Sequence, residues 1–121
     1  DIIIGKRIYR TTLSSLMREV LSVGYRWLVT RILDTHDIDT ESGYKFFRKK
    51  KILPNLPLIV DRHWFWDTEI VVYANRAGLR LLEVPVLFIR RFDKKSSVRV
   101  IHDVTDYFVN LWHLRHRLLE N

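Results

Sequence analysis

The chain has 121 residues, 47% of them apolar and 29% charged, with four glycines, three prolines and no cysteine. That suits one globular domain with a real core, and excludes a disordered or fibrous chain, a disulfide framework, a thiolate nucleophile and a cysteine zinc site. Twenty-one lysines and arginines against 14 acids leave a net charge of +7 and a pI near 10.0, which points to polyanions: nucleic acid, anionic lipid or phosphorylated substrates. No apolar run approaches the roughly 18 to 20 residues of a membrane-spanning helix. Asp1 to Gly5 is neither basic nor long enough for a signal peptide.

In chain order, Ile2 to Ile4 is a β-branched run stopped by Gly5 and reads as a buried strand needing neighbours on both sides. Thr11 or Thr12 is placed to cap a helix carrying Leu13, Leu16, Met17, Val20, Leu21, Trp27, Leu28 and Ile32, continuous or broken near Gly24. Asp34 to Ser42 is a polar loop, and Gly43 to Phe47 a short strand. A basic run, Arg48 to Lys51, leads to Pro54 and Pro57, which bracket a connection expected to be neither helix interior nor central strand. Trp66, Ile70, Tyr73, Ala74 and Ala77 fall at helical spacing, with Gly78 where a C-cap glycine belongs. Leu79 to Phe92 reads as one or two strands despite Pro85. Ser96 or Ser97 opens a last helix to Leu119, with Ile101, Val104, Phe108, Leu111, Trp112 and Leu119 on one broad apolar side. Strands alternating with helices predict an α/β layered domain.

Four segments carry chemistry. Gly5-Lys6-Arg7 follows the first strand, and Arg18 and Ser22, four apart on a helix, share a face that can grip a phosphate. The alternative is two ordinary surface residues. His36, Asp37, Asp39 and Glu41 gather carboxylates and an imidazole that could bind a hard cation, but their spacing matches no calcium loop, which favours a polar turn with no ion. Asp67 and Glu69 follow Trp64, Phe65 and Trp66 at a helix start. They read either as a positioned acid or base beside a stacking wall, or as the acids that helix N-termini favour. Glu83-Val84-Pro85-Val86 runs into Arg90, Arg91, Lys94, Lys95, Ser96 and Ser97, an anion cradle before a helix N-terminus or a solvated basic turn. His102, His113 and His116 find no third ligand at metal spacing.

Taken in order, these segments resemble the second half of the catalytic domain of family 2 glycosyltransferases, in the dolichol-phosphate mannose synthase-like branch. The resemblance rests on Ile2 to Arg7 (strand, then Gly-x-Arg), Arg18 to Ser22 (Arg-x-x-x-Ser) and Asp39 to Lys45 (Asp-x-x-Ser-Gly-aromatic-Lys). It continues through Trp66 to Glu69 (aromatic-Asp-x-Glu), Ala74 to Leu79, Glu83 to Val86 (Glu-Val-Pro-Val) and the basic-serine loop Arg91 to Ser97. It implies a GT-A fold, an α/β domain around a mostly parallel sheet. Residues 1–121 would be the acceptor-side half of that single domain, without the N-terminal nucleotide-binding half and its Asp-x-Asp metal motif.

What the resemblance implies for the site is specific. Arg7, Arg18 and Ser22 match positions that hold a lipid-phosphate acceptor, and Asp67 matches the general-base position. Asp39, Ser42, Gly43 and Lys45 make up the acceptor-pocket motif, and Arg91, Lys95 and Ser96 match the loop over the donor diphosphate. Lys6 and Lys94 depart from the family's usual residues, and both add positive charge. The expected reaction is inverting transfer of a hexose from a nucleoside-diphosphate sugar to a polyprenyl or dolichyl phosphate, by a cytoplasmic enzyme peripheral at the membrane surface. Magnesium or manganese is expected on the missing half, with no metal in this chain and no nucleic-acid partner. The other acceptor reading is a sugar hydroxyl of a polysaccharide or glycan. A small basic nucleic-acid-binding domain is the rival from a different class.

Overall fold

The isoleucine run at the start of the chain opens strand β1, Ile2–Tyr9, in a computed structural model that describes residues 1–9, 16–33, 35, 38–88 and 100–120. Helix α1 is Leu16–Leu33, β2 is Lys45–Phe47, α2 is Lys49–Ile52, α3 is Trp66–Arg76, β3 is Leu81–Phe88 and α4 is Val100–Glu120. A 3₁₀ helix, Leu53–Leu58, continues α2. Two compact units result, Asp1–Phe88 and Ile89–Asn121, and each is treated by itself.

The sheet of the first unit has the order β2-β1-β3. β1 pairs antiparallel with β2 from Ile2↔Phe47 to Ile4↔Lys45, and parallel with β3 from Ile2↔Leu81 to Tyr9↔Phe88. The chain is therefore mixed α/β with a small three-stranded sheet. β1 does have neighbours on both sides, but it is not buried on both faces. Ile2 and Ile4 are fully enclosed, whereas Ile3, Phe46, Leu82 and Val84 are exposed, so only one face of the sheet builds core here.

Gly5 does not stop the strand. A Cβ there would lie 2.9 Å from Cβ of Tyr44 and 3.0 Å from Cγ2 of Val86, so glycine lets three strands close up in mid-strand. The Gly5 N–H donates to the Tyr44 carbonyl at 2.8 Å. Pro85 is accommodated because β3 is an edge of this sheet. The connection that Pro54 and Pro57 bracket, expected to be neither helix interior nor central strand, is the 3₁₀ helix, with Pro57 inside it. Pro54 stands in its first turn, where a missing N–H forfeits no helical bond.

The core gathers on one side of the sheet. Ile2, Ile4, Ile52, Ile70, Val71 and Ala74 are buried together, with Phe47, Trp66, Leu79 and Leu81 packed around them. α3 starts where the Asp61 carboxylate accepts the N–H groups of His63 (2.7 Å) and Trp66 (3.1 Å). It ends as the sequence predicts: Gly78 takes φ 71°, its N–H donates to the Asn75 carbonyl, and that of Leu79 donates to Ala74.

α1 is continuous through Gly24, and its buried stripe differs from the expected one. Val29 and Leu33 are buried with Tyr25 half-buried, four residues apart in each case, while Val20 and Trp27 face solvent. Four-residue steps define one side of a helix, and Trp27 stands nearly opposite it. α4 also divides the apolar side expected for it. Leu111, Leu114 and Leu118 are buried, whereas Val104, Phe108, Trp112 and Leu119 are exposed. Trp112 and His116, one turn apart, meet edge to face at 5.2 Å. Among the described residues no helix is long and apolar enough to cross a membrane.

Candidate functional site

Beyond Gly5, β1 delivers two cations, and each meets a carboxylate. Arg7 donates from Nε to Oδ2 of Asp39 at 2.9 Å and from Nη2 to Oδ1 at 2.7 Å, a two-pronged pair. The Arg7 main-chain N–H also reaches Oδ2 at 3.3 Å, and Nη2 touches Oε2 of Glu41 at 3.5 Å. Asp39 is enclosed and Arg7 is 17% exposed. Burial pushes the Asp39 carboxyl upward, but the hydrogen bonds and charge of Arg7, with Arg26 adding to them, hold it below its ordinary value. For Glu41 burial wins: its carboxyl is raised, with Arg7 opposing and Asp39 reinforcing.

The second pair lies where β2 meets α3. Lys45, opposite Ile4 in the sheet, sends Nζ to Oδ1 of Asp67 at 2.7 Å and also to the Ser42 carbonyl. The Lys45 side chain is 3% exposed and that of Asp67 is 30%. Burial lowers the Lys45 pKa, Asp67 and Asp39 counter it, and Arg7 adds to the lowering. The two pairs are joined by the short loop from Asp39 to Ser42, whose Thr40 and Ser42 are buried.

Two further contacts hold this loop, and each is backed by another. The Asp39 N–H donates to Oε1 of Glu83 at 2.9 Å, while Lys6 pairs with Oε2 of the same carboxylate at 3.2 Å. Thr40, Thr68 and Tyr25 form a chain of hydroxyls, 3.3 Å between the threonines and 3.0 Å from Thr68 to Tyr25, linking loop, α3 and α1. The two acids of α3's first turn part company. Asp67 stays accessible, while Glu69 is buried and accepts the N–H groups of Val60 (2.8 Å) and Asp61 (3.0 Å).

The structure thus brings Arg7 to Asp39, and Lys45 to both Asp67 and the Ser42 carbonyl, while Gly43 is an exposed bend. Arg18 and Ser22 lie on α1, with their side chains outside the described residues. His36, Asp37, Arg91, Lys95 and Ser96 are outside them altogether. The charge that Lys6 adds at the site is matched by Glu83. Thr40, Thr68 and Tyr25 carried no signal in the sequence, because hydroxyl pairs 28 and 43 positions apart leave no local pattern. Among the described residues no cluster of three His, Asp or Glu could hold a metal ion. The carboxylates here are committed to cations and amides, so these residues do not fit the expected magnesium or manganese.

No family model matches the chain, and no solved structure does. Curated proteins do. The chain is 37% identical over 96 residues to glycosyltransferase AglD of Haloferax volcanii, across 78% of this chain and 15% of that protein. It is 33% identical over 73 residues to a dolichyl-phosphate beta-glucosyltransferase of Saccharomyces cerevisiae, across 60% of this chain and 22% of that one. A dolichyl-phosphate beta-glucosyltransferase of Trichomonas vaginalis, ALG5C, is 30% identical over 83 residues, across 68% and 24%. These relatives are glycosyltransferases, two of them dolichyl-phosphate beta-glucosyltransferases, and the chain is similar to one stretch of each. The chain matches less than a quarter of the length of each of these three relatives.

Proposed function

We propose that this chain is the acceptor-side half of a GT-A catalytic domain in a longer family 2 enzyme, which transfers a hexose from a nucleoside-diphosphate sugar to a polyprenyl or dolichyl phosphate with inversion. The relatives' names supply the class of acceptor. The observation that carries the reading to particular residues is the pair of ion pairs on one loop, which turns an oriented arginine and an accessible carboxylate to the same neighbourhood.

In this reading an acceptor phosphate oxygen attacks the anomeric carbon while the nucleoside diphosphate leaves. Arg7, oriented by Asp39, holds the phosphate with Arg18 and Ser22, and the longer Glu41 contact is the one a phosphate would displace. Asp67 orients the acceptor, since a phosphate is already ionised at neutral pH and needs little help from a base. Ser42 and Lys45 belong to that acceptor pocket, with Gly43 as its bend. Arg91, Lys95 and Ser96 oppose the charge accumulating on the leaving diphosphate. A divalent metal bound outside these residues would share that charge.

The enzyme works at the cytoplasmic face of a membrane, because its acceptor keeps its tail in the bilayer. α4 suits that surface: Phe108, Trp112 and Leu119 are exposed beside Arg115.

The test is sugar transfer by the full-length protein to dolichyl phosphate in anionic vesicles, from a panel of UDP- and GDP-hexoses. Wild type transfers, the isolated 121 residues do not, and Arg18→Ala raises the acceptor KM more than the donor KM. With dolichyl phosphate, Asp67→Asn loses less than about 100-fold in kcat. A loss of roughly 100- to 10,000-fold would mark true general-base work and a hydroxyl acceptor. Collapse of donor affinity in Arg18→Ala with unchanged acceptor kinetics would move that arginine to the other ligand.

A further inference from the structure

Lys45 is an unusual residue for its place. It stands on β2 opposite the fully buried Ile4, on the face of the sheet that builds the core, with a side chain only 3% exposed. Lysine is almost never enclosed to that degree unless paired, because stripping water from an ammonium is expensive. Its two hydrogen-bond partners are both functional candidates by position: the Ser42 carbonyl in the acceptor loop and Oδ1 of Asp67 at 2.7 Å.

A purely structural role is a weak explanation for it. A buried ion pair rarely adds net stability over an apolar side chain of similar size, so a link between β2 and α3 would not call for a charge. The asymmetry of the pair suggests what the charge does. The cation is sealed in and braced by the Ser42 carbonyl, while its carboxylate partner is 30% exposed. An ammonium held in that way pins one oxygen of Asp67 and leaves the carboxylate presented outward in a single orientation.

We propose that Lys45 is the positioning residue of the acceptor site: from beneath, it orients the Asp67 carboxylate toward the incoming acceptor. This rests on the reading above that Asp67 meets the acceptor, and deepens it by naming what aims that group. The charged groups around Lys45 are Asp67 on α3, Asp39 in the loop and Arg7 on β1. The two acids favour its ammonium, and Arg7 and burial oppose it.

The experiment compares Lys45→Met, Lys45→Arg, Asp67→Asn and the double variant Lys45→Met/Asp67→Asn in the full-length protein. Dolichyl phosphate and the nucleotide hexose that wild type turns over are the substrates, and thermal unfolding is recorded for each variant. Loss of orientation predicts a kcat for Lys45→Met lower by roughly 10- to 100-fold, at unchanged donor KM and with the protein folded. The double variant is no slower than the slower single one, because both changes remove the same device. Wild-type kcat also falls on the alkaline side, below the ordinary lysine pKa, as Lys45 sheds its proton. Lys45→Arg, which stays charged, keeps its rate through that range, and the limb is absent from Lys45→Met.

A folded Lys45→Met with wild-type kcat and an intact alkaline limb would overturn the proposal while leaving Asp67 its role. So would losses that multiply in the double variant. If Asp67→Asn itself is without effect, or wild type transfers to no such acceptor, the underlying reading fails and the proposal falls with it. Should Lys45→Met not fold, Lys45→Arg still decides: an alkaline limb unchanged from wild type rejects Lys45 as its source.

Discussion

The ion pair at the end of β1 and the one between β2 and α3 have the same chemistry turned opposite ways. In the first the carboxylate, Asp39, is sealed in and its cation, Arg7, is the outer member; in the second the cation, Lys45, is sealed in and its carboxylate, Asp67, is the outer member. One loop of buried polar side chains connects them. The difference teaches that the same fold element can present either sign of charge, depending on which partner the core swallows. In the proposed function the outer cation holds the acceptor's phosphate and the outer carboxylate orients it.

Removing an outer member is the hardest test of this arrangement. Arg7→Ala strands a carboxylate that is 3% exposed, and should cost about 3 kcal/mol in denaturant unfolding of the full-length protein. The mirror change at an inner position, Lys45→Met, leaves Asp67 to be solvated and should cost about 1 kcal/mol or less. Equal losses in the two would erase the distinction between inner and outer partners.

Gly5 sharpens the comparison, since it lies between the pairs on β1, next to Tyr44 and hence to Lys45. The Cβ of Gly5→Ala would press on the Tyr44 Cβ at 2.9 Å, and no flexible side-chain end is there to yield. The expected loss is about 1–3 kcal/mol, read from the unfolding midpoint. A neutral Gly5→Ala would mean that β1 and β2 are free to shift and do not set the spacing of the two pairs.

The smallest effect is in the pH dependence. The folded pKa of Asp39 lies below its ordinary 3.8, so its contribution to stability is full above that value and is lost as pH falls through the folded one. The stability advantage of wild type over Asp39→Asn should therefore shrink between about pH 5 and pH 2. Glu41 has the opposite sign. Its raised pKa imposes a penalty at neutral pH that acid relieves, so Glu41→Gln should stabilise slightly near neutrality. Urea unfolding across that range reads both, and parallel curves for wild type and Asp39→Asn would show that Asp39 is not held as a carboxylate by Arg7.

Local signals in the sequence located most of the secondary structure. A β-branched run and a C-cap glycine after a helical period each depend on a few neighbouring residues, and β1 and α3 begin or end where those signals put them, although β1 runs on through Gly5. The motif residues of the resemblance were legible for the same reason, as short patterns in a fixed order. Local pattern alone did not reveal which side of an element is covered. Ile3 and Ile4 are chemically identical neighbours, yet one is exposed and the other enclosed, because α2 and α3 supply apolar partners to only one face. Trp27, expected on the apolar side of α1, faces solvent, while Val29 is enclosed.

Sequence also determined that Asp67 and Lys45 would both be present, but not that they would meet. Twenty-two residues separate them, and only the packing of α3 on the sheet brings Nζ to Oδ1. The same holds for Arg7 with Asp39, 32 positions away. Charge, turn chemistry and periodicity are properties of a segment. The polarity of an ion pair is a property of solvent access, and that exists only once the tertiary structure has decided which partner loses its water.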